Sequence, residues 1–171
     1  LPWNLREGDA ILAKKDLALA SVGREQLSGG GLVWNNLSFH TRDATQVLLG
    51  RIRVNGEDVY VAATHWHYSA PDDARTRELL ARLKKEGGYP DSALDDALSM
   101  LASDCRWRRD EAERTCSFLE EKVPAGKKLF ILGDLNAAAG TPELQRLLSG
   151  GYADTFAAVS GEPGYTWDAV N

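Results

Sequence analysis

A chain of 171 residues with 43% hydrophobic side chains is the size of one ordinary domain and can build a core without disulfide or metal staples. Its formal net charge of −5 excludes a generally basic nucleic-acid coat, though not a nucleic-acid enzyme with a local metal or basic groove. The apolar runs at 59–63 and 129–132 are too short to cross a bilayer.

In chain order, residues 10–13 read as a short strand, and Gly29-Gly-Gly31 breaks the chain before another strand near 32–39. Residues 46–54 and 58–66 flank Asn55-Gly56, a dipeptide that supplies the two positive-φ positions of a tight hairpin turn. Residues 71–86 and 91–103 have helical patterns separated by Gly87-Gly88, and Leu94, Ala97, Leu98 and Leu101 follow helical spacing behind an Asp91/Ser92 cap. A third helix is expected over about 107–122, ending near Pro124 and Gly126. Its stripe Ala112, Cys116, Leu119, Val123 marks a core face and predicts a buried thiol at Cys116. Cys105 and Cys116 permit one disulfide at most, and their pairing stays open at this point. Residues 128–132 form a short buried strand that leads into Gly133-Asp134-Leu135-Asn136. Thr141 then caps a helix with Pro142 in its first turn, and Gly150-Gly151 ends it. Nothing resembles a linker, so residues 1–171 are expected to form a single mixed α/β (α+β) domain.

The chemistry concentrates at the strand ends. Asp134 and Asn136 are two apart on an extended chain and are expected to project together, with Gly133 leaving room beside them. A carboxylate there can hold a divalent cation or orient a water, and an amide can donate to a phosphate oxygen. The bland alternative is a strand-end turn, for which Asp and Asn are suited. His65 and His67 are also two apart and are expected on the face carrying Val59, Val61 and Ala63. Thr64-His-Trp-His67 resembles the start of a metallo-β-lactamase zinc motif, but Ser69 and Ala70 stand where that motif has Asp and His. Arg108 lies one helical turn before Ala112, on the buried side, where it could anchor a phosphate or lock a carboxylate. His40 reads as structural, and Trp167 and Asp168 as parts of an aromatic turn.

Taken in order, Gly8-Asp-Ala-Ile-Leu12, Val59-Tyr-Val-Ala-Ala-Thr-His65, Arg108-x-x-Glu111-Ala112, Leu129-Phe-Ile-Leu-Gly-Asp-Leu-Asn136 and Thr166-Trp-Asp168 are similar to motifs of one family. The series resembles the endonuclease/exonuclease/phosphatase superfamily, the metal-dependent phosphoesterases that include DNase I-like nucleases, sphingomyelinases and inositol phosphatases. The resemblance covers most of the chain except about 69–104, which reads as a helical insertion placed to cover the pocket and choose the substrate. It implies part of a four-layer sandwich of two mixed β-sheets flanked by helices, with Mg²⁺ or Mn²⁺ as the cation. Carried over by residue, Asp134 orients the attacking water or shares the metal, Asn136 hydrogen-bonds phosphoryl oxygens, and His65 contacts the phosphate or assists the leaving group. His67 and Arg108 are expected to help bind substrate.

The substrate implied is a phosphate ester, whether nucleic acid, phospholipid head group or small phosphoester. The family's Gln-Glu motif would precede Leu1, and its Ser-Asp-His motif would follow Asn171. The expectation is therefore the middle of such a domain, truncated at both ends and turning over little by itself. The other readings are a binding-only or non-catalytic member, and a zinc hydrolase using His65 and His67.

Overall fold

The structure, a computed structural model, describes residues 9–29, 31–34, 39–42, 44–162 and 164. It is mixed α/β. A four-stranded sheet has the order β1 (Ala20–Gln26), β4 (Gln46–Val54), β5 (Glu57–His65), β6 (Lys128–Asp134), and a separate antiparallel pair joins β2 (Gly31–Trp34) to β3 (Phe39–Arg42). The helices are α1 (Ala74–Glu86), α2 (Asp91–Lys122), α3 (Pro142–Ser149) and α4 (Thr155–Ser160).

The hairpin β4–β5 forms as its sequence dictates. Asn55 and Gly56 have φ of 52° and 83°, the left-handed pair that matches strand twist, and Val54 pairs with Glu57 across them. Chain reversal is impossible between β5 and β6, which run parallel and need a crossover; α1 and α2 supply it. On β4 and β5, Val47, Leu49, Tyr60, Ala62 and Thr64 point to one face and are buried, and Trp66 just after β5 is buried with them. That face packs against the second half of α2 through Ala112, Cys116, Phe118 and Leu119, and Leu147 of α3 joins the same core. The expected stripe on α2 is therefore the core face, and burial pushes the Cys116 thiol above its ordinary pKa. Both cysteines are free. They sit on one rigid helix about 16 Å apart along its axis, beyond disulfide reach.

Several expectations are corrected. Residues 10–13 form no strand among the described residues; Leu12 is 93% exposed, and β1 comes ten residues later. The single strand expected over 32–39 is two short ones, β2 and β3. The helices expected at 91–103 and 107–122 are one 32-residue helix, because Asp104-Cys-Arg106 contains neither Gly nor Pro to interrupt the ladder. Its N-cap is Pro90 with no side-chain cap bond, rather than Asp91 or Ser92. Thr141 occupies the N-cap of α3, but its hydroxyl makes no capping bond. The strand expected to be buried at 128–132 is β6, where Phe130 and Leu132, beside Val61 and Ala63 of β5, are half-exposed because that face of the sheet is not the one packed on α2. Gly8, Trp167 and Asp168 lie outside the described residues.

Residues 69–104 hold α1 and the first part of α2. Asp73 caps α1 by accepting from the amide of Thr76 at 2.8 Å, which holds its carboxyl below the ordinary range. A carboxyl with a lowered folded-state pKa stabilises above its unfolded value and loses that contribution as pH falls through the folded one. The first turn of α1 is expected to fray on acidification below about pH 4. Amide exchange at Thr76 would report it, and Asp73→Asn, which caps without titrating, would abolish the acid step.

Candidate functional site

The carboxyl ends of β5 and β6 are adjacent in register, with Thr64 beside Gly133 and His65 beside Asp134. Ligand sites in open α/β sheets gather outside such strand ends. His65 Nε2 stands 3.9 Å from Asp134 Oδ2, and the two side chains are 52% and 67% exposed. An imidazole and a carboxylate thus share one open edge. At this separation they are not directly hydrogen-bonded, so a water or ligand atom has room to bridge them.

Local backbone features fix this edge. Gly133 has φ of 142°, and a Cβ there would lie 1.8 Å from the Thr64 carbonyl oxygen, so glycine lets the strands close beside Asp134. Asn136 has φ of 45°, an uncommon conformation for a non-glycine residue that Asn tolerates better than most. Its amide hydrogen bonds to Asp134 Oδ1 at 3.0 Å, and its side-chain Nδ2 donates to the Trp66 carbonyl at 2.8 Å. The Trp66 amide in turn donates to the Asp134 carbonyl at 3.0 Å. The loops after β5 and β6 are therefore laced together behind His65 and Asp134.

The structure brings His65, Asp134 and Asn136 together. The described contacts of the His67 and Arg108 side chains are to other groups. β5 ends at His65, so His67 lies in the loop after it. His67 turns instead toward α2: its Nε2 lies 3.3 Å from Asp104 Oδ1, and its ring packs edge-on against Trp107 at 5.0 Å between centroids. Arg108 is 2% exposed. Its Nη1 donates to the carbonyl of Ser69 at 3.3 Å and to the Ser69 hydroxyl, and Nη2 donates to Cys105 Sγ at 3.3 Å. Its Nε faces Glu143 Oε1 at 3.4 Å. Arg108 is thus set beside a buried carboxylate as an ion pair, and its Nε makes no hydrogen bond among the described residues.

Glu111 and Glu143, which carry no role in the motifs above, are both buried. The available signal is a charge inside an apolar helical stripe, Glu111 lying just before Ala112 and four before Thr115.

Asp134 offers one open carboxylate for a cation. Among the described residues no group of three or more His, Cys, Asp or Glu could hold a metal ion. A single open carboxylate of this kind can hold a divalent cation when water and substrate oxygens complete its shell. No helix among the described residues is long and apolar enough to cross a membrane.

No protein-family model and no curated protein matches the sequence. Solved structures do. Sphingomyelinase C from Streptomyces griseocarneus is 20% identical, with 77% of this chain and 35% of that chain covered and a TM-score of 0.39. A mutant beta toxin from Staphylococcus aureus with bound magnesium ions is 22% identical, with 61% and 27% covered and a TM-score of 0.38. SmcL is 17% identical, with 63% and 28% covered and a TM-score of 0.35. The chain spans about a third or less of the length of these structures.

Proposed function

We propose that the chain carries part of the active site of a metal-dependent phosphoesterase, which hydrolyses a phosphodiester or phosphomonoester with an activated water. The observation that supports this reading is the open juxtaposition of His65 and Asp134 at the end of the parallel pair, 3.9 Å apart. Asp134 is the residue that would hold Mg²⁺ or Mn²⁺ or orient the water. A bound cation supplies neutralisation of the charge that builds on the phosphoryl oxygens. His65, open to solvent, is placed to contact the phosphate or protonate the leaving oxygen. Asn136 keeps one amide proton beyond its bond to Trp66 and can offer it to a phosphoryl oxygen. His67 and Arg108 act behind this edge rather than on the substrate. The segment 69–104 rises directly from the loop after β5, a position suited to selecting the substrate.

The test is hydrolysis of an activated aryl phosphodiester by the full protein with Mg²⁺ or Mn²⁺. Asp134→Ala is expected to lower kcat/KM by on the order of 10²-fold or more, the cost of one electrostatic group in such a site. Wild-type rates in that variant would remove Asp134 from the chemistry. Binding of Mn²⁺ without turnover would instead favour a member that only binds.

A further inference from the structure

Glu111 lies midway along α2 with no exposed surface. Its Oε1 accepts from the Thr45 hydroxyl at 2.6 Å and its Oε2 accepts from the His67 amide at 2.7 Å. Thr45 shares a hydrogen bond of 2.7 Å with the Ser28 hydroxyl, so the carboxylate gathers the end of β1, the start of β4 and the end of β5. One turn further along α2, Thr115 accepts from Trp66 Nε1 at 3.3 Å. A buried carboxylate is costly unless its hydrogen bonds are met, so these partners and Glu111 hold one another in place. On its other side the Trp66 peptide is bonded to Asp134 and Asn136. A continuous run of hydrogen bonds therefore leads from Glu111 through the loop after β5 to the edge where His65 meets Asp134.

We infer that Glu111 is a positioning residue of this site: by fixing the His67 amide, it sets where the peptide carrying His65 stands against Asp134. The inference rests on the proposed role of that edge, and its test separates the two. Glu111→Met nearly fills the same volume but removes both acceptors, leaving the His67 amide and the Thr45 hydroxyl without their partner. Glu111→Gln keeps a carbonyl for the His67 amide, and the Thr45 hydroxyl can turn to accept from the new amide. Leu101→Ala, a core change elsewhere on α2, controls for general loosening.

In the full protein, three readouts are followed: the His65 ring proton resonances at one fixed pH, exchange of the His67 amide, and kcat and KM for Mn²⁺-dependent hydrolysis of an aryl phosphodiester. Glu111→Met is expected to shift the His65 resonances and to speed His67 exchange about tenfold or more. It should lower kcat about tenfold with KM within about twofold, the pattern of a displaced reacting group. Glu111→Gln should restore all three, and Leu101→Ala should leave the His65 resonances in place. Should Glu111→Met fold by near-UV circular dichroism and keep wild-type His65 resonances, the inference is overturned. It is equally overturned if Leu101→Ala moves those resonances as far. If Glu111→Met does not fold, Glu111→Asp, which keeps the carboxyl group and withdraws it from His67, is read by the same criteria. Absence of turnover in the wild type would end the hydrolase reading, while the resonances and exchange would still decide the role of Glu111.

Discussion

Arg108→Met is expected to lower the unfolding free energy by about 3–5 kcal/mol, the cost of leaving one member of a buried ion pair alone. Both side chains of the Arg108–Glu143 pair are 3% exposed, so water cannot take over the lost contact. Glu143 Oε2 and Arg108 Nε already lack hydrogen-bond partners among the described residues, and losing the guanidinium would leave the buried carboxylate without its counter-charge. Arg108 also ties down Ser69 at the foot of the 69–104 segment, so the loss should spread to that loop. The double variant Arg108→Met with Glu143→Leu is expected to recover most of the stability, since removing both charges is often nearly neutral. Urea denaturation measures both. A single variant as stable as wild type would mean that the pair is open to solvent. Because the guanidinium is buried, Arg108→Met should change KM for a phosphoester little in whatever fraction stays folded.

The second large effect is expected at Gly133. A methyl group there would sit 1.8 Å from the Thr64 carbonyl oxygen, inside any tolerable contact. Neither atom can retreat easily. Thr64 is held on both sides, paired with Val47 of β4 and with Gly133 itself, and its hydroxyl donates to Gln46 O at 2.8 Å. The φ of 142° adds backbone strain for any residue with a Cβ. Gly133→Ala is therefore expected to lose more than about 3 kcal/mol, the upper end of what overpacking costs. Thermal unfolding is the measure, and a loss under about 1 kcal/mol would show that β5 and β6 do not pack as closely as described.

Much of the fold is legible in local chemistry. Asn55-Gly56 specifies its turn without help from the rest of the chain, and the stripe on α2 follows helical period through Ala112, Cys116 and Leu119. What could not be read depends on partners far away in sequence. The join between the two expected helices at 104–106 has no breaker, so only packing against the sheet and α3 shows that the ladder runs through. β1 has a burial pattern without alternation, and a bulge at Ser21/Gly23 interrupts its register with β4, so its period-two signal is weak. The site divides the same way. His65, Asp134 and Asn136 are visible as polar residues closing apolar strands. The fates of His67 and Arg108 turn on Asp104, Trp107 and Glu143, groups that only the folded chain brings near them.

Mn²⁺ titration of the isotope-labelled protein, followed by paramagnetic broadening, tests the central claim most directly. If the edge of β5 and β6 is the cation site, resonances of His65, Asp134 and Asn136 should broaden first and together, and Asp134→Ala should abolish the effect. Broadening that begins elsewhere, or that survives Asp134→Ala unchanged, would contradict it.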